Sequence, residues 1–495
     1  FDELTDHVIR VLVEQKGYTE TQAYKTLYQS GLTIYSTQDM DIQNIADEEV
    51  NNQDNYTSSP KVSFSYRVSI RSTDGSVKNY SEQTMLSYYK NKDPNSKSTN
   101  YSINFASEED ADAAIEQYKA DIMQEGDEIV DGSETVIYTL QPQASLTVID
   151  QSTGEVKAIV GGRGDKTASK TLNRATDTTR QPGSTFKILA AYSAALDAGG
   201  LTLASVQDDA PYTYAGANGK SVNNYDRRYR GFTTLREAIT DSINIVTVKT
   251  LAQAGVSLGW QYVQEYGFTT VDSRDMNEAL ALGGITQGVS NLELTAAYAA
   301  IANQGTYIKP KFYTKILDHD GNVLIDNTTP ESHTVIKDTT AWLLTSAMED
   351  VMTSGTGTSA YFGSSMAQAG KSGTTTSSRD ALFAGYTPYY TCAVWGGYDD
   401  NAMQKGSDTN YPKRIWKAVM KRIHENLAYK DFTKPSGIVA VAVCKESGKL
   451  PIEGVCDHDP RGNCVITEYF AQGTEPTEYC DHHTVANICT ASNML

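Results

Sequence analysis

Residues 180–200 read RQPGSTFKILAAYSAALDAGG. Pro182-Gly183 stands directly before Ser184, Lys187 follows three residues later, and no charged residue lies between Lys187 and Asp197. A solvent-facing helix would interleave charges along such a run, so this one is expected to be buried around most of its circumference. If the helix starts at Ser184, the hydroxyl sits at the positive end of the helix dipole, and Lys187 falls one turn on along the same face. Burial disfavours the ammonium form. A neutral amine within reach of the serine can then take its proton, giving an activated nucleophile without a histidine. A lone S-x-x-K is short and common, and by itself reads as an N-cap serine with a solvated first-turn lysine.

Two further elements follow in order. DSINIVTVK (241–249) places Ser242-Ile243-Asn244 at a loop-to-helix boundary. AGKSGTTTSS (369–378) places Lys371-Ser372-Gly373-Thr374 at the entry to a strand-like stretch. Singly, Ser242 reads as a helix cap and Lys371 as a solvated surface charge. Together and in this order they resemble the S-x-x-K, S-D-N and K-T-G elements of class A β-lactamases and penicillin-binding proteins, with S-I-N and K-S-G-T as variants.

The whole chain sets wider bounds. Its 495 residues are too many for one ordinary core and suggest two to four domains. Hydrophobic content of 39% and charged content of 21% fit a globular protein. No apolar run reaches the roughly 18–20 residues of a membrane span, and no signal peptide opens the chain. It begins at Phe1, so a fragment or processed form is expected, with any anchor upstream. A formal net charge of −19 argues against a nucleic-acid partner, which needs a basic footprint.

Helical patterns are expected over 1–30 (stops at Gly17 and Gly31), 39–50, from Ser107 as a capping box to Gly126, over 184–198, 234–254 and 290–304, and over 412–428. Strands are expected at 31–37, 61–70, VNNYD (222–226), YIKPKFYTKILD (307–318), the hairpin 144–162, paired runs within 381–399, and 437–444. Sheet early, helices between and sheet late suit one sheet built from both parts of the chain, with helices packed against it.

The resemblance extends beyond the three motifs. GLTIYSTQDMDIQ, RQPGSTFK, NYDRRYRGFTTLREAI, DSINIVTVK, ALGGITQGVSNLELTAAYAAIANQGTYIKP, GKSGTTTSSRDALFAGYTP, VWGGYD and TEYFAQGTEPTEYC look like the transpeptidase part of a class A penicillin-binding protein. They cover most of 144–430 and short pieces at either end. In that family a glycosyltransferase domain precedes a segment like 31–45, and none of its motifs occurs here, so the chain is expected to start after it.

The resemblance implies an α/β (α+β) penicillin-recognising fold: a sheet with packed helices, a helical subdomain, a small N-terminal α+β region and a C-terminal β element. The expected division is a linker or pedestal at 1–54, an α+β insertion at 55–143, a D,D-transpeptidase domain at 144–435 and a Cys-rich β extension at 436–495.

It further implies that Ser184 attacks the carbonyl between two terminal D-alanines of a peptidoglycan stem peptide, with Lys187 as base. Ser242 would relay protons, Asn244 would hold Lys187 and the substrate amide, and Lys371 would supply positive charge. Ser372, Gly373, Thr374 and Thr376 would bind substrate, and the N–H groups of Ser184 and Thr374 would form the oxyanion hole. Independently, a terminal carboxylate calls for hydroxyl and cationic donors, and Gly373 is expected to leave an edge strand open for a substrate backbone. Implied partners are donor and acceptor stem peptides, β-lactams and the cell-wall synthesis machinery. The implied setting is extracytoplasmic, tethered through a missing N-terminal anchor.

Three rivals stay open. A serine β-lactamase would hydrolyse its acyl-enzyme, with a glutamate between the second and third motifs such as Glu265 or Glu278. A D,D-carboxypeptidase would use water as acceptor. A β-lactam sensor or wall scaffold would acylate without turnover. The chemistry needs no cofactor. Five of six cysteines crowd the tail (Cys444, Cys456, Cys464, Cys480, Cys489), beside His458, His482 and His483. Disulfides or free thiols are favoured there over a zinc site built from Cys456, His458, Cys480 and His482, because the spacing matches no standard zinc module. Tyrosines at 211–229 either line a groove or pack a loop.

Overall fold

A computed structural model describes residues 1–92, 101–166, 168–215 and 219–484. Its centre is a five-stranded antiparallel sheet of β1 (Gln143–Asp150), β2 (Glu155–Val160), β3 (Ala369–Thr374), β4 (Asp380–Tyr386) and β5 (Thr391–Gly397). The spatial order is β3-β4-β5-β1-β2, so two stretches far apart in sequence complete one sheet, and β3 is left as an edge. β4 and β5 are buried at every residue because both faces are covered. Leu382, Ala384, Tyr386, Ala393 and Trp395 pack toward helices Asn291–Ala302 and Asp338–Thr353. Phe383 and Val394 point the other way, toward helix Tyr411–Ile423 and its Trp416. This alternation is the period-2 side-chain pattern of a strand between two apolar layers.

Residues 187–195 are buried, as the lack of charge requires, but they are not one regular helix. A 3₁₀ turn at Gly183–Thr185 leads into a π-helix at Lys187–Tyr192 and then an α-helix at Ser193–Asp197. Ser193 Oγ donates to Ile188 O at 2.9 Å, which helps satisfy a carbonyl in the widened turn. Such π segments cluster at functional sites. The helix expected over 234–254 is two, Leu235–Thr240 and Asn244–Ala254. They break at Ser242, which holds a left-handed φ of 56°. The strand expected at VNNYD shrinks to Ser221–Val222, paired with Tyr212–Thr213. Asn223 and Asn224 use their polar groups on the neighbouring helix instead, as described below.

Around this centre sit smaller units. Strand Thr33–Ser36 pairs with Tyr313–Leu317, and helix Asp2–Lys16 packs on that sheet through Val8, Val11 and Leu12. Strand Lys61–Arg71 pairs with Thr135–Gln141, Val77–Ser81 and Glu128–Ile129, covered by helices Glu82–Lys92 and Glu108–Ile122. Ser107 caps the last of these by accepting from Asp110 N at 3.2 Å. The helix ends at Ile122 rather than at Gly126. The capping box is half made: no return bond from the Asp110 side chain to the Ser107 N–H accompanies it. Strands β6 (Ile438–Cys444) and β7 (Val465–Ala471) form the C-terminal hairpin.

Candidate active site

The serine turn lies against the edge strand, and the fit depends on three glycines. Gly183 has φ 54°, and a Cβ there would fall 2.9 Å from Thr374 O and 3.2 Å from Thr374 N. Gly283 has φ 73°, and its Cβ would reach 2.5 Å from Gly183 O. A Cβ on Gly373 would meet Pro182 O at 2.6 Å. Gly373 therefore makes room for the serine turn itself, a different reason from the open substrate edge expected from sequence. Thr185 Oγ1 donates to Pro182 O and Tyr298 OH donates to Thr185 O, both at 2.7 Å, locking the turn from below. Ser184 is left half-buried at the rim.

Lys187 has no exposed surface. Its Nζ donates to Ser242 O and to Asn244 Oδ1, both at 2.6 Å, and lies 3.1 Å from Ser242 Oγ, a hydroxyl that can donate as well as accept. The left-handed turn at Ser242 brings both its carbonyl and its hydroxyl to the amine, the kind of backbone strain that collects at working sites. Asn244 Nδ2 donates to Asn223 O at 2.7 Å, which fixes the side chain so that its oxygen faces Lys187. Asn224 Oδ1 accepts from Asn244 N and Ile245 N, capping that helix. Burial, reinforced by the Lys371 charge, holds the Lys187 pKa well below the ordinary lysine value.

Lys371 on β3 is equally buried, and its Nζ donates to Ser372 O at 3.2 Å. Burial, with Lys413 adding repulsion, pushes its pKa down to about 7. The Ser372 and Thr356 hydroxyls are 2.8 Å apart, and Lys413 Nζ donates to Thr356 O at 3.4 Å. Thr374 is exposed at the end of β3. Thr376 lies beyond it, lining a cleft of about 370 Å³ with Arg180, Thr286 and Ser377.

The structure thus joins Lys187 to Ser242 and Asn244, sets Thr374 against the Ser184 turn, and spreads Ser372, Thr374 and Thr376 along one edge. Sequence reasoning missed Asn223, Asn224, Gly283, Thr356 and Lys413 as contributors. Of these Asn224 and Gly283 fall within stretches matched to the family, and no spacing rule marks the others.

Glu278 accepts from Tyr212 OH at 3.0 Å and from Ala215 N at 2.9 Å. Glu265 pairs with His333 at 3.5 Å. Tyr225 and Tyr229 are 70% and 53% exposed, while Tyr212 is held by Glu278, so the tyrosine loop divides between surface and packing.

Among the described residues, Cys444, Cys456, Cys464 and Cys480 of the tail form no disulfide and are buried, as is Cys392 on β5. Cys489 lies outside the described residues. The zinc set weighed from sequence as the less favoured alternative is not the cluster that the fold brings together. His458 is exposed and faces Asp457, and His482 packs edge-on to Phe232. Cys444 and His483 stand beside Cys456 and Cys480 instead.

Comparison with known proteins agrees with this architecture. Residues 144–424 match the family described as penicillin binding protein transpeptidase domain, and residues 434–485 match penicillin-binding protein 1A, C-terminal domain. Penicillin-binding protein 1A of Clostridium botulinum (strain Langeland) is 38% identical over 369 residues, spanning 72% of this chain and 43% of the relative. Penicillin-binding protein 1F of Bacillus subtilis (strain 168) is 38% identical over 304 residues, spanning 60% of this chain and 41% of the relative. The chain spans less than half the length of these curated relatives.

Among solved structures, penicillin-binding protein 1A from Haemophilus influenzae superposes with a TM-score of 0.68 at 22% identity, covering 97% of this chain and 77% of that one. PonA1 from Mycobacterium tuberculosis in complex with penicillin V gives 0.59 at 20% identity, covering 88% and 96%. Both share the fold.

Proposed function

The chain belongs to the penicillin-binding protein transpeptidase family, and from that premise we propose that its site cross-links peptidoglycan stem peptides through a serine acyl-enzyme and is acylated by β-lactams. Ser184 Oγ attacks the carbonyl between two terminal D-alanines while Lys187 takes its proton. The oxyanion faces the N–H groups of Ser184 and Thr374. D-Alanine leaves with a proton relayed by Ser242, and an amine of a neighbouring stem resolves the ester by the reverse relay. The donor backbone lies along the free edge of β3, with Gly373 keeping that strand tight on the serine turn. The terminal carboxylate meets Ser372, Thr374 and the Lys371 charge, and Thr376 contacts the peptide farther along the cleft.

The observation that carries this reading is the cage around Lys187. Carbonyl oxygens only accept, so the contacts to Ser242 O and Asn244 Oδ1 use two N–H bonds. A neutral amine has just those two, and its lone pair is then free toward hydroxyls. Burial and a second lysine favour that neutral form, which is what a general base requires. Glu278 and Glu265 are engaged elsewhere, which favours aminolysis over a glutamate-assisted β-lactamase hydrolysis. The proposed setting is the outer side of the membrane, among cell-wall synthesis proteins, tethered by a segment outside this chain. Among the described residues no helix is long and apolar enough to cross a membrane.

Incubation with a stem peptide ending in D-alanyl-D-alanine plus a stem amine tests the reading. Cross-linked product with one D-alanine released per bond is expected. Release of D-alanine without cross-link would make the chain a carboxypeptidase, and no release would make it a sensor.

Two further results are expected. Gly183→Ala drives a Cβ into Thr374 and forces a residue with a side chain into φ 54°. Displacing the oxyanion donors by a fraction of an ångström is expected to slow acylation about 10²-fold without loss of fold by circular dichroism. A loss under threefold would show that the two segments are not rigidly coupled.

The acylation rate constant should fall at low pH as Lys187 protonates and at high pH as Lys371 loses its proton near 7. Lys413→Met removes a neighbouring positive charge and so stabilises protonated Lys371, moving the alkaline limb to higher pH. An unmoved or lowered limb would contradict this electrostatic link.

A further inference from the structure

We propose that Cys444, Cys456, Cys480 and His483 form a tetrahedral structural zinc site that staples the C-terminal lobe. Their three Sγ atoms and one ring nitrogen all lie within 4.8 Å of one another. Zinc–sulfur arms of about 2.3 Å and a zinc–nitrogen arm of about 2.0 Å give tetrahedral S···S edges of about 3.8 Å and S···N edges of about 3.5 Å. His483 Nδ1 is 3.5 Å from Cys444 Sγ and 3.4 Å from Cys480 Sγ, so two of the three S···N edges are already at that length.

The surroundings fit a metal better than a disulfide. His483 Nε2 is 2.7 Å from Asp459 Oδ2, the carboxylate–histidine arrangement that fixes the tautomer so that Nδ1 can ligate. The Ile452 and His483 backbone N–H groups point at Cys456 Sγ and Cys480 Sγ at 3.2 and 3.5 Å, stabilising thiolate charge. Three cysteines around one imidazole leave one thiol over in any pairing among them, whereas a Cys₃His set closes a structural zinc site. All three cysteines are 5% exposed or less. Binding releases three thiol protons and leaves His483 neutral, so affinity should rise with pH.

The ligands come from the end of β6, the turn after it, and the segment following β7, three pieces with little apolar core of their own. The lobe leans on the transpeptidase domain through Gly448, whose Cβ position lies 2.3 Å from Ala204 O, and through His482 against Phe232.

The test is metal content by mass spectrometry after purification and dialysis, and again after loading the metal-free protein with zinc chloride or cobalt chloride. One zinc per chain is expected, displaced by a mercurial thiol reagent. The cobalt form should show thiolate charge-transfer absorption with tetrahedral d–d bands. Cys456→Ser and His483→Ala should each abolish stoichiometric retention, while Cys464→Ser, His458→Ala and His482→Ala should keep it. Asp459→Asn should weaken binding about 10–100-fold with the cobalt spectrum preserved, a readout that does not depend on a ligand variant folding. A mass lower by two hydrogens with no metal uptake would show a disulfide and overturn the proposal. Retention unaffected by His483→Ala would overturn the ligand set.

Discussion

Lys187→Met is expected to lower the rate of acylation by benzylpenicillin about 10²–10⁴-fold, the range associated with loss of a positioned general base. Methionine nearly matches the lysine stem and suits the apolar bundle of Ile188, Leu189 and Ile243, so the fold should persist. What disappears is the amine that touches Ser242 O, Ser242 Oγ and Asn244 Oδ1. Lys187→Arg should not rescue the rate, because a guanidinium stays protonated and has no lone pair for a serine proton. A stopped-flow rate within tenfold of the parent in the methionine variant would remove Lys187 from the chemistry and leave Ser242 or a water as base.

Glu468→Ala is expected to destabilise the chain by about 2–3 kcal/mol, below the roughly 3–5 kcal/mol of leaving one member of a buried ion pair alone, because Arg236 keeps Asp350 as a partner. Glu468 on β7 is fully buried and accepts from Arg236 Nε and Nη2, both at 2.7 Å. Arg236 also donates to Asp350 at 2.7 Å and to Ser346 at 3.2 Å, so it ties the C-terminal hairpin to helix Asp338–Thr353. It sits on the short helix Leu235–Thr240 that leads into Ser242, so loosening it should also slow acylation. Replacing both partners, as Arg236→Met with Glu468→Leu, should cost less than the single change, because no charge is left buried. Urea denaturation read by tryptophan fluorescence checks this. A single-variant loss under 1 kcal/mol would mean that the pair is solvated.

The sequence carried some parts of this site and not others for physical reasons. The charge-free run after Lys187 announced a buried lysine because burial excludes charge, and Lys187 has no exposed surface. The π-helix did not show, since it depends on a contact between Ser193 and Ile188 that an α-helical spacing does not suggest. At Ser242 the motif reading of a loop-to-helix boundary agrees with the structure, while the apolar pattern ran one helix over 234–254 because a single left-handed residue carries no composition signal. The sheet was legible from alternating runs early and late. Which strand would be its edge was not, because that depends on pairing between residues more than 200 apart in sequence, such as Thr391 with Ile149. Thr356 reaches Ser372 from the turn after helix Asp338–Thr353, and Lys413 reaches Thr356 from helix Tyr411–Ile423, so only the tertiary fold brings them there. In the tail, cysteine spacing pointed to the neighbourhood, but the histidine that stands beside Cys444, Cys456 and Cys480 is His483 rather than His458 or His482, which only the tertiary fold decides.

The most direct test of the central claim is the intact mass of the protein after benzylpenicillin, followed over time for the parent and for Ser184→Ala. A single adduct of one intact penicillin that persists for many minutes in the parent and is absent in the variant is the expected result. An adduct in both would place the nucleophile elsewhere, rapid release of hydrolysed penicillin would make the chain a β-lactamase, and no adduct in either would contradict an assembled acyl-transfer site.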